Sequence, residues 1–180
     1  MKVTWVEDVL DFWFTQLTPE DWYAVKPEVD ATIRTRFLAL WQEMRLSIPA
    51  QAFLDPAAAL AATIVFDQFP RNMFRKQADA FATDPLALAV AHNAVRKGFA
   101  ANLAPERRQF QHMPFMHSED AADQDLCVRL FEGTDNIKYA VEHRDIVARF
   151  GRFPHRNKAL GRVSTDAERE FLGGHQGFGQ

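Results

Sequence analysis

Three observations predict an all-α fold for this chain. Apolar residues recur at helical spacing between recognisable start and stop signals. No stretch alternates at period two for long enough to make a strand. One run, Ala57 to Phe66, carries no charged residue at all. A chain of 180 residues fits a single domain with a sizeable core, here residues 1–180, with the glycine-rich tail 173–180 expected to fray. The expected arrangement is about seven to nine helices in antiparallel pairs around one central buried helix.

The elements follow in order. Thr4 and Glu7 match a capping box, and Val6, Val9, Leu10, Trp13 and Phe14 carry a first helix to about Gln16. Leu17 to Lys26 reads as a loop bearing Trp22 and Tyr23. Pro27 opens a second helix to about Leu46, with Ile33, Phe37, Leu40, Trp41 and Met44 in one stripe. Asp55-Pro56 then pairs an N-cap with a proline at the first helical position. The helix it starts has no polar face, so protein should surround it, and it is too short to span a bilayer. It ends by delivering Asp67, and Pro70 is expected to break the chain.

Thr83-Asp84-Pro85 starts the next long helix, which runs to Gly98. Pro105 begins a short piece through His112, interrupted before Pro114. Ser118 is the expected cap of the following helix, ended by Gly133; Asn136 caps another, ended by Gly151. Thr165 and Glu168 form a second capping box at the start of a terminal helix.

Composition excludes several function classes. Hydrophobic residues make up 47% and charged ones 25%, as in ordinary globular chains, and the net charge of −3 gives no reason to expect nucleic acid or an acidic membrane surface. Cys127 is the only cysteine, so no internal disulfide or thiolate zinc cluster can form and a cytoplasmic setting is expected. Glu7, Asp8 and Asp11 interrupt the first apolar run, which argues against a signal peptide. No glycine-rich phosphate loop, H-E-x-x-H or nucleophile elbow is present, and His117-Ser118-Glu119-Asp120 fits no standard metal spacing; neither cofactor nor metal is expected.

The informative residues are polar ones on apolar faces. At about 100° per residue, Glu119 and Asp123 fall near the apolar sector of the helix read from Ser118 to Phe131. A buried carboxylate needs a cation, a donor or a proton, although an acid so near a helix start could equally be capping N–H groups. His143 sits mid-sector among Tyr139, Ile146, Val147 and Phe150, where a histidine is usually bonded to a carbonyl or carboxylate. Arg152, His155 and Arg156 lie between Phe150, Phe153 and Pro154. Phe69-Pro70-Arg71-Asn72 is echoed by Phe153-Pro154-His155-Arg156-Asn157, each after a helix end.

Five blocks in order carry a family resemblance. They are Val9 to Phe14, Asp67 to Asn72, Ala80 to Leu88, Met113 to Asp120 and Arg149 to Asn157. In these the chain resembles the domain of unknown function 924 family. That resemblance implies an all-helical, tetratricopeptide-like fold and supplies no catalytic role. No tetratricopeptide consensus recurs at a fixed period in this chain, so a peptide-binding role does not follow from the fold.

The functional expectation is a polar pocket for a small anionic molecule, with acid–base chemistry and no organic cofactor. Asp67, Arg71, Asn72 and Arg75 would form one side, and His117, Glu119, Asp120 and Asp123 would face them. Arg152, His155, Arg156 and Asn157 would close it with His143. The arginines would clamp a carboxylate or phosphate, and His143 or His117, paired with Glu119, Asp123 or another carboxylate, would be the base. The alternative is a helical module that binds a protein or peptide, in which the same charges form only a structural salt-bridge network.

Overall fold

Every regular element is a helix in the computed structural model, which describes residues 4–174. Helix α1 (Trp5–Asp11) starts on the Thr4–Glu7 capping box and widens into a π-turn, Phe12–Gln16. The stretch expected as a loop contains a short helix, α2 (Pro19–Tyr23), with Thr18 and Asp21 forming a capping box. Helix α3 (Pro27–Met44) buries the predicted Ile33, Phe37, Trp41 and Met44.

The central rod is α4 (Pro56–Thr63), capped by the Asp55 carboxylate accepting the Ala58 N–H at 2.8 Å. From Ala58 to Thr63 each residue is buried, as the apolar composition requires. Instead of breaking at Pro70, the chain passes through a π-turn, Ile64–Gln68, into α5 (Phe69–Met73). Proline has no N–H for the Phe66 carbonyl one turn back, a deficit that would normally end or kink a helix. The Thr83 hydroxyl donates to that carbonyl instead, at 2.7 Å, and itself accepts the Trp41 indole N–H at 3.1 Å. Around this junction Phe69 stacks on Phe37 at 4.6 Å between ring centroids, with Trp13 edge-on at 5.8 Å. Burying each such ring contributes roughly 2–3 kcal/mol.

The remaining helices are α6 (Asp84–Arg96), α7 (Pro105–His117), α8 (Ala121–Phe131), α9 (Ile137–Phe150) and α10 (Asp166–Gly174). They pack in chain order, α6 on α7, α7 on α8 and α8 on α9, while α4 touches α1, α6 and α7. Helix α7 continues through Pro114, where an interruption was expected. Met113 to His117 are all buried, so packing on α4, α6, α8 and α9 outweighs the missing backbone bond. Helix α8 begins later than expected, after Asp120, whose side chain accepts the Ala122 and Asp123 N–H groups. Gly151 ends α9 in the left-handed region (φ 68°), its N–H reaching the Val147 carbonyl at 2.7 Å. Thr165 and Glu168 form the capping box at α10. Of the tail expected to fray, Gly173 and Gly174 close α10 and 175–180 lie outside the described residues. Among the described residues, no helix is long and apolar enough to cross a membrane.

Candidate functional site

The π-turn sets the site's first residue. It carries Asp67 to a position with no solvent exposure, where an ionised carboxylate must be compensated. Three groups do so. Nδ1 of His117, the last residue of α7, lies 2.7 Å from Asp67 Oδ1; Gln68 Nε2 donates to Oδ2 at 2.5 Å; and Arg71 Nη1 stands 3.4 Å from Oδ1 while donating to the Asp67 carbonyl at 2.6 Å. Arg71 is itself held bidentately by Asp84, the first residue of α6, at 2.8 and 2.9 Å.

The electrostatics follow from burial. Burial alone would raise the Asp67 carboxyl, but the His117 contact, the Arg71 charge and the hydrogen bonds from His117 and Gln68 outweigh it and hold the group below the ordinary carboxylate range. His117 moves down: burial and the Arg71 charge outweigh Asp67, so its imidazole is neutral at pH 7. With Asp67 ionised, the proton of the neutral ring sits on Nδ1, and Nε2 keeps its lone pair. His143 is pushed down to about 3 by burial, with the neighbouring His117 ring and the Arg156 charge adding to it; its Nδ1 meets the Tyr139 carbonyl at 2.7 Å. The His117 and His143 rings stand 6.3 Å apart.

A cleft of about 490 Å³ opens beside these rings. Helix α7 supplies Met113, Met116 and His117 to its wall, and α9 supplies Tyr139 and His143. Gln68, Arg71, Asn72 and Arg75 come from the π-turn and the segment after it. Trp22 and Tyr23 from α2 and Phe131 from α8 make the wall largely apolar. Six of the expected site residues thus belong together: Asp67 behind the wall, with Arg71, Asn72, Arg75, His117 and His143 on it.

The guanidinium groups are engaged inside the protein. Arg71 is held by Asp84, and Arg75 reaches Asp30 through Nε at 2.6 Å and Nη2 at 2.9 Å, with Asn72 Nδ2 on the same carboxylate at 2.8 Å. Arg156 stands outside the cleft wall. Its guanidinium lies between the Phe81 and Phe153 rings, 4.8 and 4.5 Å from their centroids, and Nη1 is 3.3 Å from Asp84. Burial and the Arg71 charge pull it down to about 10, so it stays protonated.

The other expected residues lie in two further clusters. Glu119 accepts the Phe153 N–H at 2.7 Å and is gripped by Arg162 at 2.7 and 2.9 Å. Burial would raise its carboxyl, but those donors hold it below the usual range. Arg152 pairs with Glu168 at 2.7 and 2.9 Å, and Asn157 reaches Glu168 and Ser164. His155, half-buried, has its ring 5.5 Å from Phe153. These residues fasten the chain after α9 to α10. The second cluster caps α8: Asp120 is an exposed cap, and Asp123 takes the Ser118 hydroxyl at 2.7 Å and faces His92 Nε2 at 2.9 Å. With Ser118 donating to a carboxylate rather than to an imidazole, this trio lacks the order of a nucleophilic triad.

Sequence reasoning missed Asp30, Asp84, Glu168 and Arg162, the partners that hold the expected residues. It also missed the cleft's Trp22 and Tyr23 as helical, although the Thr18–Asp21 capping box with Pro19 was a usable signal. Cys127 is buried and its thiol is pushed up to about 12 by burial, so it is no nucleophile. Among the described residues, no group of three His, Cys, Asp or Glu side chains is placed to hold a metal ion.

Comparison with solved structures finds a protein of unknown function from Agrobacterium tumefaciens, 37% identical, with a TM-score of 0.89 over 94% of this chain and 97% of that one. No curated protein matches. The model of a bacterial protein family of unknown function, DUF924, matches residues 9–176, which takes in the π-turn, α7 and α9 that build the cleft. The chain belongs to that family.

Proposed function

We propose that the cleft binds a small organic molecule and that His117, oriented by Asp67, accepts a proton there, either from the bound molecule or from a water that attacks it. The observation that carries this reading is the 2.7 Å contact between Asp67 Oδ1 and His117 Nδ1 in a ring that also lines the cleft. A carboxylate behind a neutral imidazole fixes its tautomer and stabilises the imidazolium formed on proton transfer. Arg71 supports this arrangement indirectly, by keeping Asp67 ionised and opposing early protonation of His117. The chemistry this suits is hydrolysis or abstraction of a proton next to a carbonyl, with all groups supplied by the chain.

The test is turnover of a panel of small esters, amides and carbonyl acids by the wild-type protein and by His117→Ala. A proton acceptor contributes on the order of 100-fold or more, so any turnover found should fall by at least that factor. Turnover that His117→Ala leaves unchanged would contradict the reading.

A further inference from the structure

The hydrogen-bonding sense of the cleft wall narrows its ligand, provided the cleft is the binding site proposed above. Gln68 and Asn72 both line it, and both have their amide nitrogens fixed by carboxylates: Gln68 Nε2 on Asp67 and Asn72 Nδ2 on Asp30. An ionised carboxylate only accepts, so these amides cannot be flipped, and each must present its carbonyl oxygen as the remaining polar atom. Neither oxygen has a protein partner among the described residues. His117 follows the same rule, since Nδ1–H on Asp67 leaves Nε2 an acceptor. Most of the guanidinium donors beside them are used inside the protein: Arg71 Nη1 and Nη2 grip Asp84 and Arg75 Nε and Nη2 hold Asp30, while Arg71 Nε is buried. Charge does not reverse this. Asp30, Asp67 and Asp84 pair with Arg71, Arg75 and Arg156, so the formal charges around the wall sum to zero.

We infer that the cleft's ligand is an organic amine, entering as its ammonium form, with the N–H groups on Gln68, Asn72 and His117 and an apolar body against Trp22, Tyr23 and Phe131. An ammonium supplies three donors and no acceptor, the complement of three acceptors. Aromatic faces attract such a cation further, and apolar walls hold the rest of the molecule. An anionic ligand would instead face three lone pairs, with the guanidinium forks committed elsewhere.

The test uses three probes that share one body: 2-phenylethylamine, 2-phenylethanol and 3-phenylpropionate. Binding is followed by calorimetry and by the NMR signals of His117 and the Trp22 indole. The amine should bind at least about tenfold more tightly than either of the others, which is the worth of a charge-assisted hydrogen bond in place of a neutral one. Asn72→Ala, at a half-buried position, should weaken the amine by about tenfold and leave the alcohol nearly unchanged. Equal or tighter binding of the propionate overturns the inference while leaving the cleft as the site. An alcohol bound as tightly as the amine overturns the ammonium assignment, and silence from all three probes overturns it as well. The proton-accepting role of His117 is judged separately, by turnover and by its tautomer.

Discussion

Thr83 donates its hydroxyl to the Phe66 carbonyl at 2.7 Å, the backbone group that Pro70 leaves without a donor. The same oxygen accepts the Trp41 indole N–H at 3.1 Å, so one side chain closes two buried polar accounts at the hinge between α4 and α5. Thr83→Val keeps the shape and removes both bonds. Each buried group left unpaired costs about 1–3 kcal/mol, which gives an expected loss of about 2–4 kcal/mol in urea unfolding. A loss below about 0.5 kcal/mol would mean that the π-turn satisfies the Phe66 carbonyl by another route.

Acid should destabilise the fold earlier than its carboxylates alone would require. His143 and His112 are held neutral, at about 3 and about 4, each by burial first, with His117 and Arg156 adding at His143 and Arg108 at His112. A histidine whose folded value lies below its unfolded one is fully tolerated above roughly pH 6.5, and stability falls as pH drops through that value. By pH 5 each contributes a loss of about 2 kcal/mol. The depressed carboxyls of Asp67 and Glu119 add to the loss only further down, below the ordinary carboxylate value. His143→Leu should therefore flatten the stability profile between roughly pH 6.5 and pH 4 by close to one proton, measured by denaturant titrations across that range. A slope identical to that of the wild type would show that His143 titrates normally.

The grip of Arg162 on Glu119 should be separable from the cleft. Arg162→Ala removes the 2.7 and 2.9 Å bonds to Glu119 and the bond to the Phe153 carbonyl. Because both partners are partly solvated, the expected global loss is only about 1 kcal/mol. Hydrogen exchange should rise from Arg152 through α10, while the NMR signals of His117 and His143 stay in place. Movement of those signals would tie the C-terminal cluster to the cleft.

The sequence made the helices legible because caps and apolar spacing act locally. The stripe of α3 and the buried face of α4 were readable for that reason. The passage through Pro70 was not, since a proline that ends a helix and one rescued by a threonine 13 residues later look alike in sequence. The polar site was half legible. His117, His143, Asp67 and Arg71 stand out as polar groups amid apolar neighbours, and the structure brings them together. Their acid partners were hidden in plain positions. Asp30, Asp84 and Glu168 each lie in the first turn of a helix, where an acid is already explained by the helix dipole. A helical wheel begun at Ser118 sets Glu119 and Asp123 on one inward face; because α8 starts after Asp120, only Asp123 is on the helix and Glu119 turns toward Arg162.

Asp67→Asn tests the cost of the buried pair itself. It leaves Arg71 on Asp84 but removes the charge that holds the His117 ring. Breaking one partner of a buried pair costs about 3–5 kcal/mol, and unfolding in guanidinium should show a loss of that order. A stability within about 0.5 kcal/mol of the wild type would mean that Asp67 is not ionised in the folded protein.

The most direct measurement is the ¹⁵N NMR of the His117 ring as a function of pH. The proton is expected on Nδ1, with Nε2 unprotonated at neutral pH and remaining so as the solution is taken below the ordinary histidine value. A proton on Nε2, or a ring that charges at its ordinary value, would contradict the account.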